Sequence, residues 1–345
     1  MLSPVGGHRS RVLPASGTIG PSTFHALCMG TIVSIGSINL DLQMRVDHPV
    51  GSAETQRAHD FSRLAGGKAA NVAYLARRFG HDAQLLGMVG DDRFADEAVA
   101  PLRDLGIDVS RVRTAAGQPT AVSMIFVPDN GKKTIVLASN ANDAWQRADI
   151  DAALEAIDAA PAHSVLAVDC EMSVDACAAV LAAAQRRALC VVLDPAPPQR
   201  AQSGALRALW RAVHALTPNE EEAAALTGIE IADQAGAVRA ARALHREGFE
   251  LVCVKRSDGG CIAVSRDGVL AVQVKPVEAL DTTGAGDAFT GALAVSLVER
   301  RAFADAVRLA TAAANLTVMA WGSQTALPDR ARADAFAAGL QCEWL

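Results

Sequence analysis

The sequence predicts an α/β fold in which helices cover both faces of a mostly parallel central sheet, with a small β-sheet projecting as a lid. Three observations carry that expectation. Short apolar runs rich in Val, Ile and Leu alternate with stretches whose apolar residues recur at helical spacing. Two β-like intervals, about residues 42–64 and 112–138, interrupt the alternation and require a separate small sheet. Polar residues gather just beyond the carboxyl ends of the predicted strands, where parallel α/β folds place their ligands.

Taken in order, TIVSIGSI at 31–38 is a buried-strand run, and AANVAYLARRFG at 69–80 is a helix closed by a glycine. AQLLGMVG at 83–90 is a strand, and DRFADEAVAPLRDLG at 92–106 is a helix interrupted at Pro101. TAVSMIFVPDNGKKTIVLA at 120–138 is β-like, with a hairpin signal at Asp129-Asn130-Gly131. The alternation then resumes as strand 164–170, helix 173–187 and strand 190–195. A short strand at 214–219 leads into an acidic helix start, followed by helix 232–248 and strand 251–255. The β-like stretch 272–280 precedes DTTGAGDAFTGA, after which residues 288–298 return to helical spacing. This last unit reads as strand, tight glycine turn, helix. Such a helix N-terminus presents unpaired backbone N–H groups and a dipole that favours anions.

Of the 345 residues, half are hydrophobic, and the formal net charge is −6. That balance supports one large α/β domain, expected over 29–345, and argues against a nucleic-acid partner, whose footprint is a basic patch. No apolar run reaches about 18 residues, so no membrane partner is expected. The seven scattered cysteines form no CxxC pair and several sit in apolar runs, which favours a reducing, cytoplasmic setting. Residues 1–28 contain no acidic residue and no periodicity, and are expected to be a disordered extension.

The strand ends supply the candidate chemistry. GSINLD brings Asn39 and Asp41, and GGKAAN brings Lys68 and Asn71. Asp169 and Glu171 close one strand, DPAP closes the next, and TPNEEE brings Asn219 and Glu222. VKRSDGG and DTTGAGD complete the series. Two familiar phosphate fingerprints do not apply. GAGDAF has Phe289 where GxGxxG needs its third glycine. GGK at 66–68 is followed by Ala69, and Ser62 stands where the first Walker A glycine belongs.

From Met29 to about Phe336 the chain resembles the ribokinase-like (PfkB) carbohydrate kinases. The resemblance rests on GGKAANVAYLARRFG and DTTGAGDAFTGAL, in that order, with GSINLD, TPNEEEAAALTG and GSQTALP at the expected intervals. It implies a ribokinase-like three-layer α/β/α domain that uses ATP to phosphorylate a primary hydroxyl of a sugar, first of all the 5-hydroxyl of D-ribose. Fructose, 2-keto-3-deoxygluconate or a nucleoside are alternatives within the family, and Ala69, where ribokinases usually carry Gly, keeps them open. A non-catalytic sugar-binding regulatory protein is the alternative of another class.

The resemblance also implies roles. Asp287 matches the catalytic base, and the N–H groups of Gly284, Ala285 and Gly286 match an anion hole. Asn39, Asp41, Gly67, Lys68, Asn71 and Glu171, with Asp287, match sugar-binding positions. Asn219, Lys255, Ser257, Gly260, Gly286 and Thr311 match the nucleotide pocket. Ser257 stands there where many relatives have Gly, and Thr311 replaces a stacking His. Glu222 matches the residue that organises Mg²⁺ through water. Asp281, Thr283, Thr317, Ala320 and Gly322 match a monovalent-cation site, which adds K⁺ to ATP and Mg²⁺. Apolar residues on both faces of 124–127, with Ile135 and Val136, predict a homodimer joined through the lids.

Overall fold

The computed structural model describes residues 30–51, 55–128 and 133–345. The extension 1–28, the start at Met29 and the hairpin signal at 129–131 lie outside the described residues. The chain runs through β1 (Ile32–Gly36), β2 (Asn39–Val46), β3 (Ser62–Gly66), α1 (Lys68–Arg78), β4 (Ala83–Gly90), α2 (Arg93–Asp104) and β5 (Asp108–Ala115). Then come β6 (Ala121–Pro128), β7 (Thr134–Ala138), α3 (Arg147–Ala159), β8 (Val165–Asp169), α4 (Val174–Arg187) and β9 (Cys190–Asp194). Two short helices, α5 (Pro198–Ala201) and α6 (Gly204–Arg207), precede β10 (Ala215–Leu216), α7 (Glu220–Thr227), α8 (Gln234–Arg246) and β11 (Leu251–Lys255). The chain ends with β12 (Cys261–Ser265), β13 (Gly268–Gln273), α9 (Ala285–Val298), α10 (Phe303–Val318), α11 (Arg330–Ala338) and β14 (Gln341–Trp344).

Among the described residues the main sheet has ten strands in the order β14-β13-β12-β11-β10-β9-β8-β1-β4-β5. Neighbours from β11 to β5 pair in parallel, and β11 to β14 pair antiparallel at one edge. Strand residues alternate between two cores, as the pleat demands. Ile32, Val165 and Ala167 join α1, α2, α9, α10 and α11, whereas Val33, Ile35, Leu166 and Val168 join α3, α4, α7 and α8. This is the expected three-layer arrangement. The strand order reverses between β8 and β1, and the crevice at such a reversal is where ligands bind in this architecture.

A smaller sheet has the order β3-β2-β6-β7, with β2 and β6 parallel. Its extent differs from the predicted intervals at both starts. Pairing begins at Asn39 rather than near residue 42, because β2 follows β1 after only Ser37 and Ile38. Residues 112–115 belong to the main sheet, where β5 pairs with β4. That edge strand, DVSRVRTA, is largely exposed and polar, so its sequence carries little strand signal. Two further predicted boundaries also shift. Pro101 lies inside α2 without ending it, and the β-like stretch 272–280 continues as strand only to Gln273.

Candidate active site

The crevice at the strand reversal is a cavity of about 910 Å³, roofed by the inner face of the small sheet. The register places Asp41, Ser123 and Leu137 on one row of that face, and Gln43, Ile125 and Ile135 on the next. Asn39 and Asp41 therefore reach the cavity from β2. Asn39 donates to Ser123 Oγ (3.1 Å) and accepts from Asn142 Nδ2 (2.8 Å), while Asn142 Oδ1 accepts the Ile38 N–H (3.2 Å). Asp41 lies flat against Gly66, where a Cβ would come within 2.1 Å of its carboxylate, so only glycine fits. Asp41 Oδ2 accepts from Ser323 Oγ at 3.3 Å, and its Oδ1 is buried without a partner. Burial pushes the Asp41 carboxyl up to about 7, against the nearby hydroxyls of Ser123 and Ser323.

The floor comes from the N-termini of α1 and α9. Asn71 donates Nδ2 to Asp287 Oδ2 at 2.7 Å, and its own Oδ1 is buried without a partner. Lys68 lies 3.8 Å from Asp287 Oδ1 and 3.9 Å from Glu171 Oε1. Burial disfavours its ammonium, yet Asp194, Glu171, Asp287 and Glu222 together hold Lys68 well above the ordinary lysine range. Asp169 sits behind, accepting the N–H groups of Ser37 (3.0 Å) and Glu171 (2.8 Å). Burial and the Glu171 charge push the Asp169 carboxyl up to about 8.

Gly284 caps α9 with φ 76°, a left-handed turn that aims the first helical N–H groups at the cavity. No side chain caps this terminus. The helix behind it is buried from Asp287 to Ser296 and packs against α1 and α10, so the turn rests on a rigid element. Beside it, Lys255 donates to Asp194 Oδ2 at 3.1 Å. Burial would raise the Asp194 carboxyl, but Lys255 and Lys68 hold it below the usual range. Asn219 and Glu222 close a reciprocal capping box at α7, each bond 2.8 Å long. Burial and Asp194 raise the Glu222 carboxyl. The arrangement can bind a polyol at one end and an anion at the other, with a carboxylate between them.

Comparison with known proteins fits this layout. Residues 29–330 match the model of the pfkB family carbohydrate kinases. The chain belongs to that family. It is similar to the ribokinase of Haemophilus influenzae, with 33% identity over 303 residues, 87% of this chain and 96% of that protein. It is 30% identical to a deoxyribokinase of Salmonella typhi, over 86% of this chain and 95% of that protein. The solved structure of Arabidopsis thaliana ribokinase complexed with ribose and ATP superposes with a TM-score of 0.72 at 26% identity, covering 90% of this chain and 99% of that one.

In this carbohydrate kinase the structure gathers Asn39, Asp41, Gly67, Lys68, Asn71, Glu171, Asn219, Glu222, Lys255, Ser257, Gly260 and Gly284 to Asp287 around one cavity. Of the candidates for sugar and nucleotide, Thr311 alone is not among them. It is 1% exposed, bonds back to Val307 O at 2.8 Å and does not line the cavity. One turn later Asn315 does, donating to Gly259 O at 2.8 Å in the loop after β11. Sequence reasoning missed Asn315, Ser123, Asn142, Ser323 and Lys133. The first two polar side chains on the inner rows, Asp41 and Ser123, pair only through the parallel β2–β6 contact. The one local signal was the Asn-rich run SNAND at 139–143, beyond the β-like interval.

Among the described residues no cluster of three or more His, Cys, Asp or Glu could hold a metal ion. Asn219 and Glu222, with Glu220 and Glu221, bring side-chain oxygens to the cavity wall at the start of α7. The cation site implied at Asp281 fits less well. Its Oδ2 accepts from Gln43 Nε2 and the Gly322 N–H (3.1 Å), and its Oδ1 accepts the Thr283 N–H (2.9 Å). Asp281 is fully buried, and these three donors take up most of the acceptor capacity of its carboxylate. Thr317 likewise bonds inward, to Ala313 O at 2.8 Å, and its carbonyl accepts the Ala320 N–H at 3.2 Å.

Proposed function

We propose that this kinase transfers the γ-phosphoryl group of ATP to the 5-hydroxyl of D-ribose. One observation carries the reading: Asp287 is clamped by Asn71 at 2.7 Å, directly beside the N–H groups that open α9. A carboxylate held by one oxygen keeps its other oxygen for the proton of a sugar hydroxyl. The adjacent N–H groups stabilise negative charge as it develops on the transferred phosphoryl. Asp41 Oδ1 and Asn71 Oδ1, both buried acceptors without a protein partner, suit hydroxyl donors of a polyol. Lys68 draws Asp287 and Glu171 together and carries positive charge into the same end. Lys255, Ser257, Gly260 and Asn315 line the opposite end and would receive the nucleotide. Bound there with Glu222 and Asn219 nearby, Mg²⁺ would offset charge on the β- and γ-phosphate oxygens.

The naming of several relatives as ribokinases supports ribose over other sugars. The outer face of the small sheet supports a homodimer through the lids. Leu42, Met124 and Val136 share a row there, with Met124 41% and Val136 59% exposed. Closure of this lid would exclude water from the phosphoryl group. The free thiols among the described cysteines suit a cytoplasmic setting.

Coupled detection of ADP across ribose, 2-deoxyribose, fructose, 2-keto-3-deoxygluconate, nucleosides and no sugar tests the assignment. Ribose is expected to give the highest kcat/KM, with ATP turnover falling at least about a hundredfold without sugar. Equal ATP turnover with and without every sugar would refute a sugar kinase; a higher kcat/KM for another acceptor would refute ribose alone.

A further inference from the structure

The lid delivers a second lysine to the catalytic centre. Lys133 immediately precedes Thr134, the first paired residue of β7, so the pleat places it on the inner face with Ile135, and it lines the cavity. Its Nζ donates to the carbonyl oxygen of Thr282 at 2.8 Å. The N–H at the other end of that same peptide, on Thr283, is donated to Asp281 Oδ1 at 2.9 Å. The peptide that leads into Gly284 and the anion hole is thus pinned from both sides, by an ammonium above and a carboxylate below. Burial lowers the Lys133 pKa, and Lys68 adds to that, while Asp281, Asp287 and Asp41 oppose it. An ammonium in this position compensates the buried charge of Asp281. It also repels a further cation sought by the same carboxylate.

We propose that Lys133 is the resident counter-charge of the turn that builds the anion hole, so that this kinase works without a bound monovalent cation. The inference rests on the sugar-kinase reading for its rate measurements only. Lys133 acts as a positioning residue: it holds the Thr282–Thr283 peptide plane, and through it the orientation of the N–H groups that follow. Because Lys133 rides on the lid, the turn reaches its full order only with the lid closed.

The test compares the full chain in tetramethylammonium chloride and in potassium chloride at equal ionic strength, with ATP and ribose. Wild type should change kcat by less than about threefold between the two salts, and its melting temperature should be the same in both. Lys133→Met should lose at least about tenfold in kcat in tetramethylammonium and regain much of it in potassium, while Lys133→Arg should stay independent of the salt. Stimulation of wild type by potassium beyond about threefold, or a melting temperature raised by potassium, overturns the proposal. So does a Lys133→Met enzyme with wild-type kcat in tetramethylammonium. If Lys133→Met fails to fold, the wild-type and Lys133→Arg comparisons decide. If no sugar is phosphorylated in either salt, the sugar-kinase reading fails, and the melting comparison still decides the cation question.

Discussion

Asp41→Asn should make the unliganded protein more stable at alkaline pH while weakening its grip on sugar. Asp41 is 3% exposed, and burial raises its carboxyl from the usual 3.8 to about 7. A raised carboxyl binds its proton more tightly in the folded state. The stability it contributes is therefore greatest below about pH 4 and is lost as pH climbs to about 7. Each tenfold gain in proton affinity corresponds to about 1.36 kcal/mol, so the raised carboxyl withdraws about 4 kcal/mol from the wild type by pH 8. About 3 kcal/mol of that disappears above pH 5. Asn has nearly the same shape, fits the close approach to Gly66, and does not ionise. Its own imperfect hydrogen bonding costs about 1–2 kcal/mol at every pH, so the pH trend isolates the charge. Calorimetry on wild type and Asp41→Asn should show the melting difference moving in favour of Asn by on the order of 5 °C between about pH 5 and pH 8. In the same variant the sugar KM should rise about tenfold or more, because a charged acceptor for a hydroxyl is gone. A melting difference that stays flat with pH, or moves against Asn, would refute the buried-carboxylate argument.

Asp287→Asn should lower kcat by at least about a thousandfold while sugar affinity, read by calorimetric titration, changes by less than about threefold; a variant keeping a tenth of the wild-type rate would remove Asp287 from the chemistry. Glu299→Gln should destabilise the junction of α9 with α11 by about 2 kcal/mol near pH 7, because Glu299 accepts from His81 (2.9 Å), Arg301 (2.7 Å) and Arg330 (2.7 Å). Partial burial pushes the Glu299 carboxyl up, but those three donors hold it well below the usual range. Its contribution is present above about pH 4.5 and fades as pH falls, so denaturant melts of wild type and variant should converge in acid. Light scattering should give a dimer for wild type and a monomer for Val136→Glu, and a monomeric wild type at micromolar concentration would sink the lid interface.

Much of this fold is legible locally. The α/β alternation follows from residue periodicity, and the strand-end clusters announce a ligand crevice because backbone direction alone fixes where strand ends go. Asp287 and its glycine turn sit within four consecutive residues, so their relation needs no tertiary information. The cavity roof is different. Asp41 meets Ser323 across 282 residues, and Gln43 meets Asp281 across 238. Such contacts depend on strand pairing, and nothing in NLDLQMRV signals that it will lie parallel to AVSMIFVP. β5 escapes a reading of periodicity because an exposed edge strand lacks the apolar alternation that marks its neighbours. Thr311 is misplaced for a related reason: a helix buried on most sides shows no polar face from which to choose the cavity-facing turn.

The passage from β1 to β2 needs only Ser37 and Ile38, and both are anchored: Ser37 to Asp169 and to the Lys68 N–H (2.9 Å), Ile38 to Asn142. Asn39 and Asp41 come next, already part of the roof. The hands that would hold the substrate are therefore fixed to the door. Widening the entrance lifts them away, and tightening them draws it shut. On the proposed lid motion, affinity for the acceptor and the speed at which product escapes would share one mechanical coordinate. A variant that binds sugar more firmly through the Asn39–Asp41 strand should turn over more slowly once release is limiting, whereas a change on the α1 floor, at Lys68 or Asn71, escapes that linkage.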